Sequence, residues 1–301
     1  MTIKHIVISG GGPNLFTGYG VIKTLNNKKF WNLKDIKSIH CTSAGSIIAL
    51  FLLLNAEWES LDDYFIKRPW ENVFHISPQT IFDAYTKKGI YTTKIFNDIF
   101  HPFFELKNIS LDITIEELFE KTNIDLNIYC TDINLFNLVV INKEKYPKMS
   151  VIKAIHMSSA IAPIFSPLIV DDMCLLDGGL LSNYPISQCL EYDKDIEKDE
   201  VLGIVSLSKE KKSCITSESV ISDYLFNIIY KLIDKSDSSA SNMGKITHEV
   251  VYPCEERCGL TWKESLLSSE FREKMIKKGE TCAEDYLFNL KQISKTVPDP
   301  E

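Results

Sequence analysis

Twice in its N-terminal part the chain turns from a short apolar strand through small residues into a helix, and that repetition leaves few architectures open. His5-Ile6-Val7-Ile8 leads into Ser9-Gly10-Gly11-Gly12, and Ile36 to Cys41 leads into Thr42-Ser43-Ala44-Gly45. Lys4 to Ser9 reads as a strand, Gly18 to Asn26 as a helix, Ile36 to Cys41 as a strand and Ala44 to Glu57 as a helix. Strands that alternate with helices pair in parallel, so the expected class is α/β, a mainly parallel sheet with helices on its faces.

The pattern continues less regularly. Helices are expected over Thr92 to Phe100, over Thr114 to Lys121, which opens with the capping box Thr114-x-x-Glu117, and over Val151 to Ser159. Leu126 to Thr131 and Leu138 to Asn142 read as strands joined by a short turn, Leu168 to Leu176 as extended, and Val201 to Leu207 as a buried strand. Beyond Ser208, polar loops surround two helical stretches, Val220 to Ile233 and Ser269 to Lys291. The first is apolar around much of its circumference, which favours a buried helix over an interfacial or lid helix. The expected organisation is one domain over residues 1–301, with 208–301 a helical C-terminal part.

A formal charge of −8 argues against nucleic-acid binding, which needs clustered Lys and Arg, and against simple electrostatic attachment to anionic lipid. The most apolar run, Ser46 to Leu54, is too short to span a bilayer, and the first strand leaves no room for a signal sequence ahead of it. A cytoplasmic location is therefore expected, with peripheral membrane contact left open. The eight cysteines follow no repeating spacing and read as free thiols. Cys254 and Cys258 with His248 hint at metal ligands, but a structural zinc site needs four well-spaced donors, and no metal is expected.

Three separated segments supply the parts of an acyl-transfer site. Backbone N–H groups of Gly10, Gly11 and Gly12, between strand and helix, suit an anion or oxyanion. A dinucleotide fingerprint fails because Leu15 occupies the third glycine position, and a phosphate loop fails because Tyr19 follows Gly18. Ser43 has Gly45 two residues after it and the small Cys41 two residues before it, as a sharply exposed nucleophile requires. Asp177, just ahead of Gly178 and Gly179, could accept the Ser43 proton directly, whereas a Ser-His-Asp relay would draw on His40 or His156, nearest to these motifs.

With these residues the chain resembles the patatin-like phospholipases over roughly residues 4–207. The resemblance rests on Ser9-Gly10-Gly11-Gly12, on Thr42-Ser43-Ala44-Gly45, and on Asp177-Gly178-Gly179 with Asn183 and Pro185 following. It also rests on Met157-Ser158-Ser159-Ala160-Ile161 ahead of Phe165 and Pro167. It implies a three-layer α/β/α fold and cofactor-free hydrolysis of ester-linked acyl chains, with phospholipid or another acyl lipid as substrate. Ser43 would be the nucleophile, Asp177 the base, and Gly10, Gly11 and Gly12 the oxyanion hole. The chain departs from the family at Pro13-Asn14-Leu15, where a basic residue is usual, at Cys41, and at Ala162-Pro163. A catalytically weak lipid-binding relative and an acyltransferase on the same scaffold are the alternatives.

Overall fold

The computed structural model describes residues 2–207, 215–236, 243–255 and 259–296. Strand β1 (His5–Ile8), a 3-10 turn (Gly12–Asn14) and α1 (Leu15–Asn27) form the first unit, and β2 (Ser38–Thr42) and α2 (Ala44–Leu53) the second. The helix expected to reach Glu57 ends earlier, because Asn55 takes a positive φ and the chain restarts as α3 (Trp58–Lys67). Two further helices, α4 (Trp70–Val73) and α5 (Pro78–Lys87), then precede α6 (Thr93–Leu106) and α7 (Ile115–Thr122). The Thr114–Glu117 capping box closes in both directions.

Strands β3 (Asp125–Asp132) and β4 (Asn137–Ile141) pair antiparallel, and α8 (Val151–Ser158) follows. The segment read as one extended piece is a hairpin, β5 (Leu168–Val170) and β6 (Met173–Asp177). Asp171 and Asp172 both take positive φ at its two-residue turn, the backbone such tight hairpins demand. After α9 (Gly179–Ser182) and α10 (Ile186–Tyr192) come β7 (Val201–Leu207), α11 (Ile221–Ser236), β8 (His248–Pro253), α12 (Gly259–Leu267) and α13 (Ser269–Thr296). The C-terminal part is therefore not only helical, since β8 completes the sheet beside β7.

The sheet runs β5-β6-β3-β2-β1-β7-β8, with β4 on β3; β1, β2, β3, β7 and β8 are parallel. Alternation along β1 divides the core. Ile6 and Ile8 join the large cluster with α1 and α2, while Val7 joins a smaller one with Tyr184, Ile186 and Cys189 on the opposite face. The result is the expected α/β/α layering. Helix α13 packs along α1 and fastens to α3 through Arg272, whose guanidinium donates to the carbonyls of Phe65, Ile66 and Arg68 at the end of α3. Among the described residues no helix is long and apolar enough to cross a membrane.

Candidate active site

Strand register explains how two residues 134 positions apart come to touch. β2 pairs with β3 up to Thr42 opposite Tyr129, and β6 pairs with β3 from Asp177 opposite Cys130. Because β4 covers the other edge of β3, β2 and β6 lie on the same edge and run toward each other. Their last residues meet between Tyr129 and Cys130. Ser43, one residue past β2, thus lands beside Asp177, and its Oγ donates to Asp177 Oδ2 at 2.6 Å.

Ser43 sits at φ 51° and ψ −125°, a conformation that costs a non-glycine residue about 1–3 kcal/mol and that the surroundings must enforce. They do so with four hydrogen bonds. The Ser43 N–H donates to Ser158 Oγ at 2.8 Å, and that hydroxyl donates to the Tyr129 carbonyl at 2.6 Å. Ser46 Oγ donates to the Ser43 carbonyl at 2.6 Å, and Thr42 Oγ1 to the Ser182 carbonyl at 2.8 Å. Asp177 is held as firmly: Oδ1 accepts the Gly179 N–H at 2.8 Å, and its carbonyl accepts Thr131 Oγ1 at 3.0 Å.

The glycine loop lies against this pair. Ser206 at the end of β7 ties it down, its N–H donating to Ser9 Oγ at 2.8 Å and its Oγ to the Gly10 carbonyl at 2.5 Å. Gly12 adopts φ +52°, which glycine reaches without steric cost. The Gly10 N–H donates to the Asn183 carbonyl at 3.0 Å, so this one of the three glycines already has a partner. Asn14, where the family usually has a basic residue nearby, is fully buried. Its Oδ1 accepts the Glu255 N–H at 2.7 Å and its Nδ2 donates to the Gly11 carbonyl at 3.1 Å, which latches the loop to the segment after β8. Cys41 is a packed core residue of β2, its thiol pushed up by burial and therefore neutral.

Neither histidine near the motifs touches the pair. His156 Nδ1 lies 2.8 Å from Thr93 Oγ1. His40 is fully buried, with Nδ1 2.9 Å from Tyr129 OH and Nε2 3.1 Å from Ser38 Oγ. Burial, with a smaller contribution from His5, pulls the His40 pKa down to about 3. An unfolded histidine near 6.5 takes up its proton first, so stability is full above about pH 6.5 and falls as pH drops toward 3. At pH 4 His40 alone should remove roughly 3 kcal/mol, and His40→Gln should flatten the pH dependence of urea unfolding between pH 7 and 4. A slope unchanged by the substitution refutes this assignment.

Ser43 and Asp177 open on a cavity whose other walls are mostly apolar: Phe65 from α3, Trp70 and Phe74 around α4, Phe96 from α6, Phe165, and Trp262 from α12. Tyr230 and Ile233 of α11 close it, and Trp262 Nε1 donates to Tyr230 OH at 3.1 Å. Ser159, next to the elbow-bracing Ser158, faces the same space, and its buried hydroxyl has no hydrogen-bond partner among the described residues. Sequence reasoning assigned no role to Ser158, Thr131, Ser206 or the aromatic wall. Small hydroxyls and scattered aromatics carry no spacing signal until the strands are registered. Among the described residues no group of three His, Cys, Asp or Glu is placed to hold a metal, and Cys258 lies outside them.

Residues 6–190, over half the chain, match the family model described as Patatin-like phospholipase. The chain belongs to the patatin-like phospholipase family. It is 25% identical over 217 residues to the probable lipid hydrolase 463L of Invertebrate iridescent virus 6, covering 70% of this chain and 73% of that one. It is 26% identical over 200 residues to an uncharacterised protein of Acanthamoeba polyphaga mimivirus, covering 65% of this chain and 63% of the relative. The fold of this patatin-like chain is similar to that of VipD from Legionella pneumophila, with a TM-score of 0.57 and 16% identity over 96% of this chain and 67% of that one.

Proposed function

We propose that the protein is a lipid acyl hydrolase that cleaves ester-linked fatty acyl chains, phospholipids foremost, through a Ser43–Asp177 dyad and an acyl-enzyme. The observation that carries this reading is the 2.6 Å hydrogen bond from Ser43 Oγ to Asp177 Oδ2. As Ser43 Oγ attacks the ester carbonyl, its proton passes to Asp177 Oδ2, while the Gly179 N–H keeps the other carboxylate oxygen in place. The carbonyl oxygen, now negative, accepts hydrogen bonds from the N–H groups of Gly11 and Gly12. Gly10, bonded to Asn183, shapes the loop instead of donating to it. Each such donor is worth about 3 kcal/mol in the transition state. The positive end of the α2 dipole, which begins at Ala44, adds to this stabilisation.

Collapse of the tetrahedral intermediate breaks the bond to the leaving alcohol, which takes the proton from Asp177. Water then attacks the acyl-enzyme with Asp177 again accepting a proton. As the bond to Ser43 Oγ breaks, that oxygen takes the proton back from Asp177 and the fatty acid leaves. The acyl chain occupies the apolar cavity throughout. An alkyl fluorophosphonate should label the wild-type protein at Ser43, found by mass spectrometry of the labelled peptide; label elsewhere, or none, defeats the reading.

Ser158 is a positioning residue in this scheme, since it touches the nucleophile only through its backbone. Ser158→Ala leaves the Ser43 N–H unsatisfied in a buried place and lets the elbow relax. The expected result is a loss in kcat of about 10–100-fold with KM nearly unchanged. A purely structural role would lower thermal stability and leave the kcat of the folded fraction intact.

A further inference from the structure

The rim of the cavity is apolar on its outside as well as its inside. On α11, Phe226, Tyr230 and Ile233 are buried, but Ile221, Tyr224, Ile228 and Leu232 are 78, 51, 40 and 54% exposed. At spacings of three and four residues these four form one stripe. The helix read from sequence as buried is therefore two-faced, and its outer stripe is exposed among the described residues. Helix α12 repeats the arrangement, with Trp262 and Leu266 on the cavity and Leu260 and Leu267 outside, 63 and 55% exposed. Helix α5, which lies between the cavity residue Phe74 and Gly89 against Phe165, presents Ile81, Phe82 and Tyr85. Leu135 and Phe136 project from the turn just past β3.

On α11 and α12 these side chains sit on helices that also line the cavity leading to Ser43. Helix α5 follows the cavity residue Phe74 in sequence, and the β3–β4 turn lies at the end of the sheet where β2 and β3 terminate. Other exposed large apolar side chains among the described residues are more scattered and include Ile169 on the edge strand β5, Leu106 and Phe288. Leu106 precedes Lys107, which bonds the Asn55 carbonyl beyond the far end of α2, and Phe288 lies on α13 past the Tyr286–Phe30 contact that follows α1. Soluble monomers rarely gather apolar surface this way unless something binds it.

We propose that α5, α11, α12 and the β3–β4 turn form a docking face for a zwitterionic phospholipid bilayer, inserting their apolar side chains at the headgroup boundary so that the cavity mouth opens onto lipid. The choice of lipid rests on the acyl-hydrolase reading. The helices that present the outer stripe also line the cavity, so an acyl chain moving from bilayer to Ser43 stays on apolar surface. Charge points to neutral lipid. On α11 Asp223 and Asp234 offset Lys231 and Lys235, and the chain as a whole carries −8. Without a basic stripe on α11, anionic lipid gains nothing there by attraction.

The test is flotation of the full-length Ser43→Ala protein with phosphatidylcholine vesicles in 0.1 and 0.5 M salt, approximate concentrations that bracket strong electrostatic screening. Binding should persist at both and should not improve when phosphatidylserine is added. Phe82→Ser, Ile221→Ser and Leu232→Ser together should weaken it by about a hundredfold, roughly fivefold per side chain. The same three changes in a chain retaining Ser43 should leave hydrolysis of a soluble short-chain ester unchanged. Should the triple variant fail to fold, Tyr85→Ser alone, at the most exposed of these positions, should weaken binding about fivefold.

Binding unaffected by these substitutions, binding that vanishes at the higher salt, or a vesicle-free dimer that the substitutions dissociate would each overturn the proposal. Vesicle binding without esterase activity would spare the docking face and remove the hydrolase reading. Esterase activity on a soluble ester without vesicle binding would do the reverse.

Discussion

Ser43→Ala is expected to cut ester hydrolysis by at least about a thousandfold, and Asp177→Asn by a similar factor, with secondary structure and unfolding midpoint near those of the parent. The serine variant loses the atom that forms the acyl-enzyme. The asparagine variant keeps the shape of the carboxylate and an oxygen for the Gly179 N–H, but it has no site that can take the Ser43 proton at neutral pH. Because the two residues act as one unit, the double variant should be no slower than either single one. Release of fatty acid from phosphatidylcholine and of alcohol from a soluble ester should fall together. Activity within tenfold of the parent in either single variant would end the dyad mechanism.

Gly45→Ala should be nearly as damaging, for a steric reason. A Cβ at position 45 would lie 2.5 Å from the Ile8 carbonyl oxygen and 2.8 Å from that of Ser9. Both belong to the backbone at the end of β1, paired on both edges, and cannot swing aside as a side-chain tip would. The start of α2 must therefore move off the sheet, which carries Ser43 away from the glycine loop. Urea unfolding should show a loss of about 3 kcal/mol, at the upper end for overpacking, and fluorophosphonate labelling should slow at least a hundredfold. A variant with parental stability and labelling rate would show that α2 can shift without disturbing the nucleophile.

The first four elements were legible because each strand and helix carries its own local signal: apolar runs, small residues at the turns, a capping box further on. The serine and the aspartate were legible for the same reason. What brought them together was not, because β2 and β6 meet through a register on β3 that no short window of sequence contains. The helix after Ala44 was carried past Leu53 to Glu57, although Asn55 carries a turn residue's signature, and helix α3 beyond it went unread. Strand β8 alternates buried and half-buried positions from His248 to Pro253, yet its polar flanks made the stretch look like loop. The cavity wall escaped notice because Phe65, Trp70 and Trp262 look like ordinary core aromatics until the fold arranges them around Ser43.

Arg272 reaches from the last helix to the carbonyls of Ser265 and Leu266 as well as to those at the end of α3. One cation thereby cross-braces two separate panels of the compartment, both assembled around residues that bear no reactive atoms. The compartment thus joins wall residues that lie between the serine and the aspartate in sequence, on α3, α4 and α6, to others that come late in the chain, on α11 and α12. On the acyl-hydrolase reading, changes on the Trp262 side should alter which acyl chain lengths are accommodated while Ser43 and Asp177 stay where they are.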